Sequence, residues 1–102
     1  MARRNKVIDE RAVTTGAVIS AVPCGLVSLV LVGAVGTASS VTLYDHASAA
    51  TGNKKKVLTT SDGTSAPTTV PYCPCKADAF SNGMFVVVTG TGAMAYISIE
   101  PV

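Results

Sequence analysis

Twenty consecutive residues without a formal charge, Gly16 to Val35, constrain this chain more than any other stretch. The run, GAVISAVPCGLVSLVLVGAV, follows a leader containing Arg3, Arg4, Lys6 and Arg11. About twenty apolar residues let a helix cross a hydrocarbon core of roughly 30 Å, and flanking positive charge would set its orientation. A single-pass membrane protein using residues 16–35 is therefore one reading. The residue types favour another. Pro23 and Gly25 stand inside the run, where they would cost a helix about 3 and about 1 kcal/mol, whereas valine-rich alternation suits a packed, pleated surface. Val27, Leu29 and Leu31 would face one side of an extended chain, and Ser28, Val30 and Val32 the other. Gly33 to Ser40 interrupts the pattern, and Ser40 to Asp45 resumes it with Val41 and Leu43 against Thr42 and Tyr44. The expectation is a β-hairpin whose first strand is apolar on both faces and whose second is half exposed. A cleaved signal peptide fits poorly, because the run begins late and has no boundary after its small residues.

With 102 residues the chain has room for one domain. Charged residues make up 14%, against roughly 25% in soluble domains, so neighbours, either further copies or a larger assembly, are expected to cover much of the surface. A net charge of +2 is too small to argue for nucleic acid. There are five aromatics and no tryptophan, and Val, Thr, Ala, Gly and Ser dominate, a composition that favours strands and turns. The expected fold is all-β, a small antiparallel β-sandwich of jelly-roll type with about six to eight strands. The expected domains are an extended N-terminal arm over 1–15 and the sandwich over 16–102.

In the arm, Arg3, Arg4, Lys6 and Arg11 would seek an acidic partner surface, with Val7 and Ile8 as a small apolar plug; the plainer reading is a frayed terminus. Ala17 to Val22 reads as a short strand stopped by Pro23. Ala47 to Asn53 reads as a loop. Lys54, Lys55 and Lys56 invite a phosphate-binding reading, but lysines on an edge strand also discourage edge-to-edge pairing, and that is the better account. Val57 to Thr60 is a short strand and Ser61 to Pro67 a turn cluster. Thr68 to Val70 is a strand cut off by Pro71 and Pro74. Phe80-Ser81-Asn82-Gly83 is a turn, Met84 to Thr89 a strand, Gly90-Thr91-Gly92 a reversal, and Met94 to Glu100 a closing strand with Ala95, Ile97 and Ile99 on one face.

No chemistry-bearing constellation emerges. Cys73-Pro74-Cys75 has a single residue between thiols, closer than a zinc knuckle, and no second pair follows. Cys24, Cys73 and Cys75 are expected as reduced, packed thiols, with a disulfide from Cys24 to one of the pair as the alternative. His46 adjoins Asp45, but neighbours on a strand face opposite sides and make a poor dyad. The acidic residues are scattered, and the glycines at 90 and 92 join two strands instead of opening a helix. No catalytic residue, cofactor or metal is expected.

SVTLYDHASAATG, followed after an intervening segment by FSNGMFVVVTGTGA, resembles a group of small β-sandwich structural proteins of tailed bacteriophages. In that group a strand ending in T-L-Y-D, an A-S-A-x-G loop, an F-S-N-G turn and a V-T-G-T-G-A reversal recur in this order. The match spans Val41 to Ala93 and leaves the CPC segment and the lysine triplet as departures. The resemblance implies a non-enzymatic virion component whose leading apolar run serves as strands. Small size, low charge, a sandwich-like core and a possible grasping arm then make the expected component a head decoration or cement protein on the capsid exterior, assembled in the host cytoplasm, homotrimeric, with the major capsid protein or other virion proteins as partners and no nucleic acid. A head-tail junction, fibre or tail adaptor is the alternative within that class.

Overall fold

A computed structural model describes residues 9–34, 36, 38–60, 68–74 and 76–101. They form nine strands: β1 (Asp9–Val13), β2 (Gly16–Ser20), β3 (Cys24–Gly33), β4 (Ser39–Tyr44), β5 (Lys54–Thr60), β6 (Thr68–Tyr72), β7 (Asp78–Phe80), β8 (Met84–Thr89) and β9 (Met94–Pro101). The first sheet runs β1-β9-β3-β6, with β7 also on β3, and the second runs β2-β8-β4-β5. All pairs are antiparallel. The pairs β1·β9, β2·β8, β3·β6 and β4·β5 nest inside one another along the chain, as in a long hairpin ribbon. The ribbon is rolled so that β3 meets β9 and β4 meets β8. This is the jelly-roll arrangement of two facing sheets, with β7 as one short strand beyond its usual eight.

The apolar run is β2 and β3, and among the described residues no helix is long and apolar enough to cross a membrane. That overturns the membrane-helix reading of residues 16–35. β3 is interior to its sheet, paired to β9 on one side and to β6 and β7, end to end, on the other, with Leu26, Leu29 and Leu31 buried and Val27, Ser28, Val30 and Val32 half-buried. It does not form the expected hairpin with β4. Both sides of each strand are occupied by other partners, so the chain after Gly33 crosses to the opposite sheet. Alternation fixes which side chains point inward, and it is the same whether a turn joins two neighbours or two layers.

A bulge also corrects the expected face of β3. Leu26 pairs with Ile99 and Ser28 with Ser98, leaving one residue extra at Val27. The insertion switches the inward set from Cys24 and Leu26 to Leu29 and Leu31, all buried, while Val27 is only half-buried. Leu26 therefore takes the core position that simple alternation gives to Val27. Elsewhere the pattern holds: Val41 and Leu43 on β4, Met84, Val86 and Val88 on β8, and Ala95, Ile97 and Ile99 on β9 all enter the core. Each fully buried aliphatic contributes about 1.5–3 kcal/mol.

Two boundaries move. The segment expected as a free arm carries β1, whose residues 9–13 pair with Ile99 to Ala95 and bury Val13, so the sandwich begins before residue 16. β6 continues through Pro71 to Tyr72 instead of stopping at Val70. It pairs only with β3, so a proline lacking its N–H costs no ladder bond on the open side.

Candidate interaction surfaces

Both ends of β4 carry buried polar anchors: Ser39 donates its N–H to Thr60 Oγ1 at 3.1 Å at one end, and Asp45 ties two loops at the other. Asp45 follows β4 and is buried at 9% exposure. Its Oδ1 accepts the backbone N–H of Asn82 at 2.8 Å, and its own N–H donates to the Asn53 carbonyl at 2.8 Å. His46 turns its ring to the following loop, where Nδ1 accepts the N–H groups of Ser48 at 3.1 Å and Ala49 at 3.0 Å. Two donors on Nδ1 place the ring proton on Nε2. Gly83 closes the cluster with φ +126, and a Cβ there would lie 2.5 Å from the Ser20 carbonyl oxygen and 3.0 Å from Ala47 Cα. The strings TLYDHASAATG and FSNG thus meet in space as a backbone lock, with Asp45 and His46 serving different loops.

Cys24 lies buried beneath this end. Burial pushes its thiol above the ordinary range, the Ser20 hydroxyl opposes the shift, and the Asp45 carboxylate adds to it, so the thiolate is disfavoured. Cys24 and Cys73 are both free thiols, the second of them exposed, whereas Cys75 lies outside the described residues. Among the described residues no group of three His, Cys, Asp or Glu side chains could hold a metal ion.

Each open side of the sandwich is bridged by a basic side chain. On one side the Arg11 guanidinium of β1 donates to the Val18 carbonyl of β2 at 3.3 Å, occupying an acceptor on the outer edge of the second sheet. On the other, Lys56 of β5 places Nζ 3.9 Å from the Tyr72 ring centroid on β6, and Lys55 lies 5.9 Å from that of Phe80 on β7. The Tyr72 hydroxyl donates to Asp78 Oδ2. That hydrogen bond, with lesser help from burial and the carboxylate charge, holds the Tyr72 phenol above its ordinary pKa. The lysine triplet sits on an edge strand, as expected.

Every outer strand therefore carries a feature that discourages another strand from adding. β5 has its lysines and a register shift, β6 has Pro71, β7 is only three residues long, β2 has a register shift and the Arg11 contact, and β1 has Asp9, Glu10 and Arg11 in its sequence. The sheet faces differ from the edges. On the second sheet, Val18, Phe85, Tyr44 and Lys54 stand in one register row across the strands, and Gly16, Val87, Thr42 and Val57 in the next. A third row joins Thr89, Ser40 and Thr59, with the Ser40 and Thr89 hydroxyls 2.6 Å apart. The first sheet presents the row Ala12, Tyr96, Val30 and Pro71, but Glu10 and Glu100 also stand at outward positions of its ladder.

Of the partner-binding residues expected from sequence, Arg3, Arg4, Lys6, Val7 and Ile8 lie outside the described residues. Arg11 is a strap between sheets and not part of a free arm. Sequence reading missed the outer-face rows, although it assigned Thr42 and Tyr44 to the outward side of their strand. The missing information was which strands lie side by side. No protein family matches the chain, and no curated protein or solved structure matches it significantly.

Proposed function

We propose that this chain is a non-enzymatic structural component of a tailed-phage virion, a decoration or cement protein bound to the capsid exterior. The observation that carries the reading is the pairing of blunted sheet edges with a second-sheet face whose three rows hold a single charged residue, Lys54. Such a domain is built to be packed against by its faces in an assembly, which also accounts for the small share of charged residues. The sequence resemblance supplies the kind of assembly, and the motifs that carry it include Asp45 and Gly83 of the backbone lock. In this role the basic leader residues Arg3, Arg4 and Lys6 reach for acidic surface on the lattice.

A subunit that binds the assembled shell and not its free parts stabilises that shell by RT ln(1 + [L]/Kd) per site. Particles carrying the protein should then release DNA at a higher temperature than particles lacking it. Equal release temperatures would remove the cement role. A copy number that follows the capsid lattice goes with decoration, whereas one that follows a single vertex or the tail goes with a junction or fibre adaptor.

A further inference from the structure

The second sheet's outer face combines three properties. Its central residues are uncharged, its two aromatics Phe85 and Tyr44 are direct cross-strand partners, and its flanks expose Val18 at 37% and Val57 at 48%. Of the chain's five aromatics, Phe80 is buried, Tyr72 packs against the core, Tyr96 stands at 49% exposure on the first sheet's outer face, and the remaining two are paired on this face. Aromatics with few charges are the composition of the buried centre of an interface.

We propose that this face is a self-association surface, on which a second copy of the chain docks sheet against sheet. Three arguments select that occupant. The same patch meets itself across a two-fold axis, and with Lys54 confined to one corner no ion is desolvated at the centre and no like charges oppose there. The first sheet's outer face, with Glu10 and Glu100 in its ladder, would bring carboxylates toward carboxylates in the same arrangement. Edge-to-edge association, the other route for β-proteins, is discouraged at every outer strand. In area, four strands about 4.8 Å apart and about five residues long give roughly 300 Å² in projection. With side-chain relief, two such faces bury on the order of 1,000 Å², the lower limit for a specific contact. The contact is accordingly of the weak, reversible kind, tightened wherever copies are held close together. The proposal replaces the homotrimer expected from sequence with a two-fold contact.

Sedimentation equilibrium of the full chain tests it without any particle, so its outcome is separate from that of the virion role. The expected result is a monomer–dimer equilibrium that Thr42→Lys, at the centre of the face, weakens at least about tenfold through like-charge repulsion and desolvation. Ser98→Lys, on the first sheet's outer side, should leave it unchanged. If Thr42→Lys proves unfolded by circular dichroism, Val57→Lys on the edge strand serves in its place. A chain that stays monomeric at millimolar concentration, or one that assembles only as a trimer, overturns the proposal. So does a dimer that the lysine on this face leaves intact, or one that Ser98→Lys dissolves equally.

Discussion

Asp45 and Asp78 each tie two segments together with one carboxylate, yet their settings differ in ways that set the expected energetic weight of each. Asp45 is buried and accepts a backbone N–H from a residue 37 positions away. Asp78 is half-buried and accepts a side-chain hydroxyl from a residue six positions away, on the open side of the sandwich. The difference lies on the acceptor side: both hydrogen bonds are partly buried, but the Asp45 carboxylate is withdrawn from water and depends on its protein donor, whereas the Asp78 carboxylate keeps access to solvent. The longer loop also loses more entropy on closing, so the Asp45 contact constrains more of the chain. The Asp45 end should thus act as structural keystone and the Asp78 side as trim.

The largest test of that contrast is Gly83→Ala. With φ at +126 and the Ser20 oxygen 2.5 Å from the new methyl group, the turn must distort. A loss of about 3 kcal/mol is expected, read as a fall in melting temperature on the order of 15 °C. Next comes Asp45→Ala, which strands the Asn82 N–H and should cost about 2 kcal/mol in denaturant unfolding. Asp45→Asn keeps an acceptor oxygen and should recover most of the loss; no recovery would mean that charge, not the hydrogen bond, matters there.

On the other side the effects shrink. Asp78→Ala should lower the melting temperature by only about 2–4 °C, and a fall as large as that of Asp45→Ala would break the contrast. The same contact has a pH signature. Because the Tyr72 pKa is raised in the folded protein, the stabilisation it reports is fully present below the ordinary tyrosine pKa and is lost as pH rises through the raised value. Ultraviolet difference titration against Tyr72→Phe should therefore place Tyr72 above an ordinary tyrosine, and Asp78→Ala, which removes the acceptor, should bring it down. The smallest effect is expected of Lys56→Met, which keeps the packing over Tyr72 but removes the cation, shifting the melting temperature by no more than about 2 °C.

The parts of this molecule legible in the sequence were those decided by neighbours along the chain. Thr42 and Leu43 alternate as they must on a strand with one buried face, and the glycines at 90 and 92, both at positive φ, mark a reversal. What stayed hidden was decided across space. Nothing near Gly33 says that the chain will change sheets, and nothing near Val27 announces a bulge, because both depend on where β9 settles. Arg11 reads from sequence as part of an arm seeking acidic surface because its acceptor, the Val18 carbonyl, is a backbone group that every residue type carries equally. Asp45 and Asn82 were each inside a recognisable motif, but their contact becomes visible only when β4 and the turn after β7 are brought together.

The place where β3 changes partners has a practical consequence. β7 covers it as far as Leu26 and β6 from Leu29 onward, so Val27 and Ser28 fall between the two neighbours at the point where the β9 side also slips by one residue. The ladder has already been interrupted there, where β6 ends at Tyr72 and β7 begins at Asp78. Foreign peptide spliced between those two strands would break no register pair, which makes their junction a site from which to display cargo or attach a label.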